Sequence, residues 1–254
     1  MIALMKKTCA LILALLPALA AAAYVPNPTE KAVLEAILRA EIETFSEGGG
    51  TLIGEWMGTP AVQADVLSEA YAAGASAAAP MSLDRPVLLS GTVAKVEGDA
   101  KAGQWIVFDS VMPPAVRARL PAQRAAARPG AEIALVCAKL EVAQGVPTMT
   151  SCQDAAAVAA RKVAALRASL DGFHQGKPTN IRVSTLAINA LISASLLPAD
   201  HGCPDDMARC AEAVKATHHL ASREEALLAT VHKLKAAGVD LSAYDTPRRP
   251  GRGR

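Results

Sequence analysis

Residues 86–152 read PVLLSGTVAKVEGDAKAGQWIVFDSVMPPAVRARLPAQRAAARPGAEIALVCAKLEVAQGVPTMTSC. Here β-branched and aromatic residues gather in short runs separated by turn residues, a strand signature. Val87–Val96 is a long first strand with Gly91 in its middle, where a glycine marks a bulge or a sharp bend. Glu97–Gly103 is a polar turn and Gln104–Asp109 a second strand. Ala115–Leu120 alternates apolar residues with Arg117 and Arg119, a half-exposed third strand. Pro121–Arg128 reads as a short helix, with Pro in its first turn and Gly130 past its end. Glu132–Val142 and Val146–Cys152 make a hairpin around the tight turn Gln144-Gly145.

Three strands, a short helix and a two-strand hairpin form the sequence of an oligonucleotide/oligosaccharide-binding (OB) barrel. The expected class is α+β: a five-strand OB-fold barrel flanked by N-terminal helices and a C-terminal helical region. The run from about Thr59 to Cys152 resembles the tRNA_anti-like OB-fold family of exported bacterial, lipoprotein-like proteins. The residues carrying it are Leu88-Leu89-Ser90-Gly91-Thr92-Val93, Trp105-Ile106-Val107-Phe108, Pro129-Gly130-Ala131-Glu132-Ile133-Ala134-Leu135 and Ser151-Cys152, with Tyr71–Ala79 similar to its lead-in helix. The resemblance implies the fold and an exported location, but no established ligand and no catalytic residue.

Upstream of the barrel, Thr29–Glu47 carries Val33, Leu34, Ile37, Leu38 and Ile42 on one helical stripe, with Thr29 as the expected N-cap and Gly48-Gly49-Gly50 as the stop. The triple glycine lacks the preceding strand and following Lys-Ser/Thr of a phosphate loop and reads as a linker. Ala61–Ala73 reads as a weaker helix stopped by Gly74, and Ala75–Pro80 as a connector. The chain opens with a basic leader (Lys6, Lys7), an apolar run Thr8–Leu19 and the small residues Ala20–Ala23, the pattern of a cleavable secretory signal over residues 1–23. The apolar run is about half of the roughly 20 residues a spanning helix needs, and Pro17 lies near its end. Cys9 precedes that run instead of following it, which argues against lipoprotein processing.

Without the signal, four cysteines remain, an even number that points to disulfides in an exported, periplasmic or secreted chain. Basic and acidic residues then balance at 24 each. Arg248, Arg249, Arg252 and Arg254 sit in a tail, so the body is slightly acidic. That charge argues against a nucleic-acid partner.

Beyond Cys152 the helices expected are Asp154–Leu170, Pro178–Leu197, Asp205–Leu220 and Arg223–Ala237, the last opened by a Ser222/Glu225 capping box and stopped by Gly238. Ser184, Thr185, Asn189, Ser193 and Ser195 interrupt the second of these and argue against a membrane span. The divisions expected are an N-terminal helical segment with its linker over 24–80, the barrel over 81–153, a helical bundle over 154–245 and a disordered basic tail over 246–254.

With a two-residue turn at Gln144-Gly145, Cys137 faces Cys152 across the hairpin. Counting from the turn makes this a hydrogen-bonded pair, whose Cβ atoms stand wide for a disulfide unless a bulge near Pro147 intervenes. Cys203 and Cys210 are too far apart to bridge on one helix, so a bond requires Cys203 in the loop His201-Gly202-Cys203-Pro204 and a helix start near Asp205 or Asp206. A metal site from His201, Cys203 and Cys210 lacks a CxxC pair and a fourth ligand. No cofactor motif occurs.

His218, His219 and His232 fall on the last two helices, and no G-x-S-x-G elbow accompanies them. Glu224-Glu225 and Asp205-Asp206 sit at helix starts, where the dipole accounts for them.

The candidate ligand face holds Trp105, Arg117, Arg119 and Arg124, with Arg128 on the short helix. Phe108, three positions from Trp105, points to the core. The expectation is a non-catalytic exported binding protein whose partner is a protein or an anionic glycan of the cell envelope. The alternatives are a single-stranded nucleic-acid binder, or a hydrolase with a site between barrel and helices.

Overall fold

The computed structural model describes residues 23–74, 85–98, 103–120, 127–143 and 145–241. The signal segment before Ala23, the connector 75–80, most of the short helix expected at 121–128, including Arg124, and the tail after Leu241 lie outside these residues.

The barrel strands are β2 (Val87–Glu97), β3 (Trp105–Phe108), β4 (Arg117–Arg119), β5 (Glu132–Ala143) and β6 (Val146–Asp154). β2 pairs with β3, β3 with β4, β4 in parallel with β6, β6 with β5, and β5 returns to β2. This is a closed five-strand mixed barrel of OB type, as the sequence order implied. An additional strand, β1 (Ala61–Gln63), runs parallel to β2 along the edge that β3 takes up farther on. The helix expected over Ala61–Ala73 is therefore corrected. Only α3 (Ala64–Ala72) is helical, because the open edge of β2 draws the preceding residues into its ladder, as in the bond from Leu88 N to Pro60 O. The third strand is likewise shorter than expected. Ala115 and Val116 lie outside it, although Val116 O still accepts the Phe108 amide.

The irregularity of β2 falls between Val93 and Lys95, where its register against β3 shifts, and not at Gly91, which pairs in step with Ile133; what position 91 needs is space. A Cβ there would stand 3.0 Å from the Phe108 ring and 3.1 Å from Ala64 Cβ, so only glycine fits without displacing them. Inward residues Val87, Leu89 and Val93 of β2 meet Ile106, Phe108, Ala118, Leu135 and Met149 in the barrel core. Outward residues Leu88, Ala134 and Val136 join a second core built by the helices. Val87–Ser90 of β2 and Ile133–Cys137 of β5 are thus buried on both faces. β3 and β4 are buried on one face only, with Trp105, Val107 and Arg117 half-buried and Arg119 exposed.

The hairpin keeps the register expected from its turn along its whole length, with Cys137 opposite Cys152 and Ala143 opposite Val146. No extra residue enters near Pro147. The ladder instead skips Ala138 and Ser151, and Ser151 takes a positive φ of 52°. Beside that irregularity the two cysteine Cα atoms stand 3.9 Å apart and the disulfide forms.

The helices are α1 (Pro28–Ser46), α2 (Leu52–Met57), α4 (Ala155–His174), α5 (Ile181–Ser195), α6 (Met207–Ala216) and α7 (Arg223–Ala236), with a 3-10 turn at Thr217–His219. α1 packs against α4, α5 and α6, and α4 packs on β5 and β6, so the helices cover the β2/β5 side of the barrel. Thr29 is not the cap of α1. Asn27 is, in a full capping box with Glu30, because Pro28 starts the helix.

The Ser222/Glu225 capping box does not form either. After the extended Leu220, Ser222 is itself already in helical conformation, at φ −73° and ψ 0°, and its side chain makes no capping bond. Asp206 does cap α6 and leaves Cys203 in the loop, where it bonds Cys210 at a Cα separation of 4.8 Å. His201 Nδ1 accepts the Cys203 amide, and both sulfurs are taken by the disulfide.

Glu30 is buried at 7% exposure and ties the start of the helical region to its end. It accepts hydrogen bonds from the Tyr24 hydroxyl at 2.7 Å, the Asn27 amide at 2.8 Å and Lys233 Nζ at 2.7 Å. Burial works to raise its pKa, but those three donors together hold the carboxyl below its ordinary value. Val239 and Leu241 close the same core as Tyr24.

Candidate functional site

The open side of the barrel is a three-strand surface whose outward residues follow from register. Trp105 stands between Glu97 on β2 and Arg119 on β4, and Val107 between Lys95 and Arg117. The Arg117 guanidinium carbon lies 5.4 Å from the Trp105 ring centroid and that of Arg119 lies 5.9 Å from it, both within cation–π range. Arg117 Nη2 donates to Glu97 Oε2 at 2.7 Å, and Lys95 Nζ meets Glu97 Oε1 at 3.1 Å. The hydrogen bond from Lys95 is the chief reason the Glu97 carboxyl sits below its ordinary pKa, and Arg117 adds to it.

Arg119 packs over Gly103, where a Cβ would come within 3.2 Å of its guanidinium. Arg117 Nε is buried without a hydrogen-bond partner. Three cations and one carboxylate therefore surround one indole, leaving an excess of positive charge on a flat aromatic platform.

Compared with protein-family models, curated proteins and solved structures, the chain matches none of them.

Of the residues expected at the ligand face, Trp105, Arg117 and Arg119 are brought together. Phe108 is fully buried in the barrel core, as its spacing from Trp105 required. Arg128 is exposed in the irregular segment before β5. Glu97 and Lys95 complete the platform and were missed. The signal that could have found them is the alternation Lys95, Glu97 at the end of β2, directly across the turn from Trp105.

A second concavity lies among the helices. It is a cleft of about 550 Å3 between α1 and α2 on one side and α5 with the start of α7 on the other. Glu41 sits in its wall, its Oε2 accepting the Ile53 amide at 3.2 Å and so capping α2. Burial, with the nearby Glu55 charge adding to it against the amide bonds, raises the Glu41 pKa. Of the three histidines singled out in the sequence, only His218 lines this cleft. His218 and His219 belong to the 3-10 turn and not to a regular helix, a correction to their expected placement, while His232 is on α7. Burial and the neighbouring Arg223 charge keep the His218 imidazole from protonating at its ordinary pKa.

Proposed function

We propose that this protein is a non-catalytic binding protein of an exported compartment, and that the β3–β4 face of its barrel holds an anionic glycan. The observation that carries the reading is Trp105 flanked by Arg117 and Arg119 on the side of the barrel that the helices leave open. An indole stacks on the apolar face of a sugar ring, and guanidinium groups take carboxylate or sulfate substituents in paired hydrogen bonds. In OB barrels this same face, with its adjoining loops, binds the ligand.

Two disulfides support an oxidising compartment. The leader in residues 1–23 and the resemblance to exported tRNA_anti-like proteins support export to the periplasm. Among the described residues no helix is long and apolar enough to cross a membrane. The absence of any nucleophile motif in the sequence supports binding without catalysis.

The protein contains two tryptophans, Trp56 and Trp105, so a Trp56→Phe variant makes Trp105 the only reporter on the barrel face. Titration with a polyuronate or sulfated oligosaccharide is expected to shift its emission saturably. The affinity should fall as salt rises and drop about tenfold in Arg117→Gln or Arg119→Gln. No response to charged glycans would refute the reading. Tighter binding of oligo-dT than of the glycan at equal salt would replace it with single-stranded nucleic-acid binding.

A further inference from the structure

The helical cleft has a polar end and an apolar end. It follows α5 from Ile181 to Ser193, about 18 Å at 1.5 Å per residue. Along that helix Thr185, Asn189 and Ser193 recur every four residues and so share the stripe that faces the cleft, while Leu186 and Val183 lie in its floor. Near the first turn of α5 the rim is apolar and open to solvent. Leu52 is 53% exposed and Ile181 is 51% exposed, with the half-buried Trp56 beside them. Two turns farther on, the lining becomes Asn189, His218 and Arg223.

The two arginines of the cleft are not neutralised. Arg182 Nη1 donates to the Glu55 carbonyl oxygen at 3.0 Å. Arg223 donates to the Thr217 carbonyl oxygen at 3.3 Å and to Asn189 Oδ1 at 3.1 Å. All three acceptors are uncharged, and among the described residues neither guanidinium forms an ion pair with a carboxylate. Each retains free N–H donors, since a guanidinium carries five. On the opposite wall the Glu41 carboxylate is already turned to the α2 amides. Of the four charged side chains in the lining, Glu41, Glu55, Arg182 and Arg223, the one at the polar end is Arg223, held in place by Asn189.

We propose that this cleft binds a single-chain amphiphile with an anionic head, its chain lying against Leu52, Trp56, Ile181 and Leu186 and its head on Arg223 beside Asn189. The volume falls in the range of small-molecule sites, and an apolar body with a few convergent polar groups is their usual make-up. This site is separate from the barrel face and does not depend on the glycan reading.

A Trp105→Phe protein leaves Trp56 as the only tryptophan, inside the cleft. It is titrated below the micelle concentration with dodecanoate, dodecyl phosphate, dodecanol and dodecylammonium. The expected result is a saturable change in Trp56 emission with at least one of the two anions, the tighter of them naming the head group, and binding about tenfold weaker for dodecanol. Arg223→Gln should bring the anion down to the dodecanol level. Thr185→Phe, introduced at an exposed position of α5, should block the groove and weaken the anion at least tenfold with an unchanged circular-dichroism spectrum. The proposal is overturned if neither anion gives a saturable response, if dodecanol or dodecylammonium binds as tightly as the anions, or if folded Thr185→Phe protein binds as well as its parent. Glycan binding by the Trp56→Phe protein reads the other site, so either idea can fail without the other.

Discussion

The segments Val87–Ser90 of β2 and Ile133–Cys137 of β5 are covered on both faces, the barrel core inside and the helices outside, whereas β3 and β4 are covered on one. The difference is written in the side chains. Val87-Leu88-Leu89-Ser90 is a continuous buried run, and Ile133–Cys137 is another. Strands covered on both sides need such runs. Trp105-Ile106-Val107-Phe108 and Arg117-Ala118-Arg119 alternate, with only Ile106, Phe108 and Ala118 inside. The helices have thus taken one side of a barrel and left its customary binding side free. A sheet surface can serve stability or recognition, and in this barrel the two are assigned to opposite walls.

Truncations should show the contrast most sharply. Leu88→Ala removes a side chain at 1% exposure from the seam between barrel and helices and should cost about 3 kcal/mol. Val107→Ala on the open wall should cost less than about 1 kcal/mol. Equal losses in urea denaturation would break the contrast.

The disulfides should follow in size. Replacing Cys137 and Cys152 with Ser opens a loop of 15 residues and should lose about 3 kcal/mol, while replacing Cys203 and Cys210, seven apart, should lose about 2 kcal/mol. Thermal unfolding of the two double variants measures both. Gly91→Ala should cost about 2 kcal/mol by forcing Phe108 and Ala64 away from the new Cβ, and a calorimetric scan showing no loss would mean that β2 can relax there.

The smallest effect is with pH and belongs to the helical side. Burial lowers the His174 pKa, so the fold favours neutral imidazole, and stability should begin to fall as pH drops through about 6.5. Glu30 has a lowered pKa as well. Its contribution is intact above about 4.5 and is lost as pH falls further. Glu30→Gln should flatten the acid limb of a melting-temperature profile and deepen the limb near pH 6, because the Glu30 charge is one of those that favour the His174 imidazolium.

The barrel was legible because its long strands carry their own pattern and the Gln144-Gly145 turn fixes the register that sets Cys137 opposite Cys152. β1 was not, since Ala61-Val62-Gln63 is too short to show a period and becomes a strand only where β2 offers an edge. The Ser222/Glu225 pair had the right spacing for a cap, but capping also depends on the direction from which the chain arrives. Trp105, Arg117 and Arg119 could be read together because they lie on neighbouring strands. The cleft could not be assembled, since Glu41, Trp56, His218 and Arg223 come from four separate segments. Its one sequence trace is Thr185, Asn189 and Ser193 at intervals of four, which registers first only as polar interruptions of an apolar helix.

The Glu30 junction has a topological consequence. It brings Tyr24 and Lys233 together, the lysine 5.2 Å above the tyrosine ring, and Val239 and Leu241 enter the same core. The path of the chain through the folded body is therefore nearly circular. Residues 24–241, rejoined through a short Gly/Ser linker and opened instead at the exposed Gly145, would be a circular permutant. It would lose one hairpin turn, and the Cys137–Cys152 bond would still hold its new ends side by side.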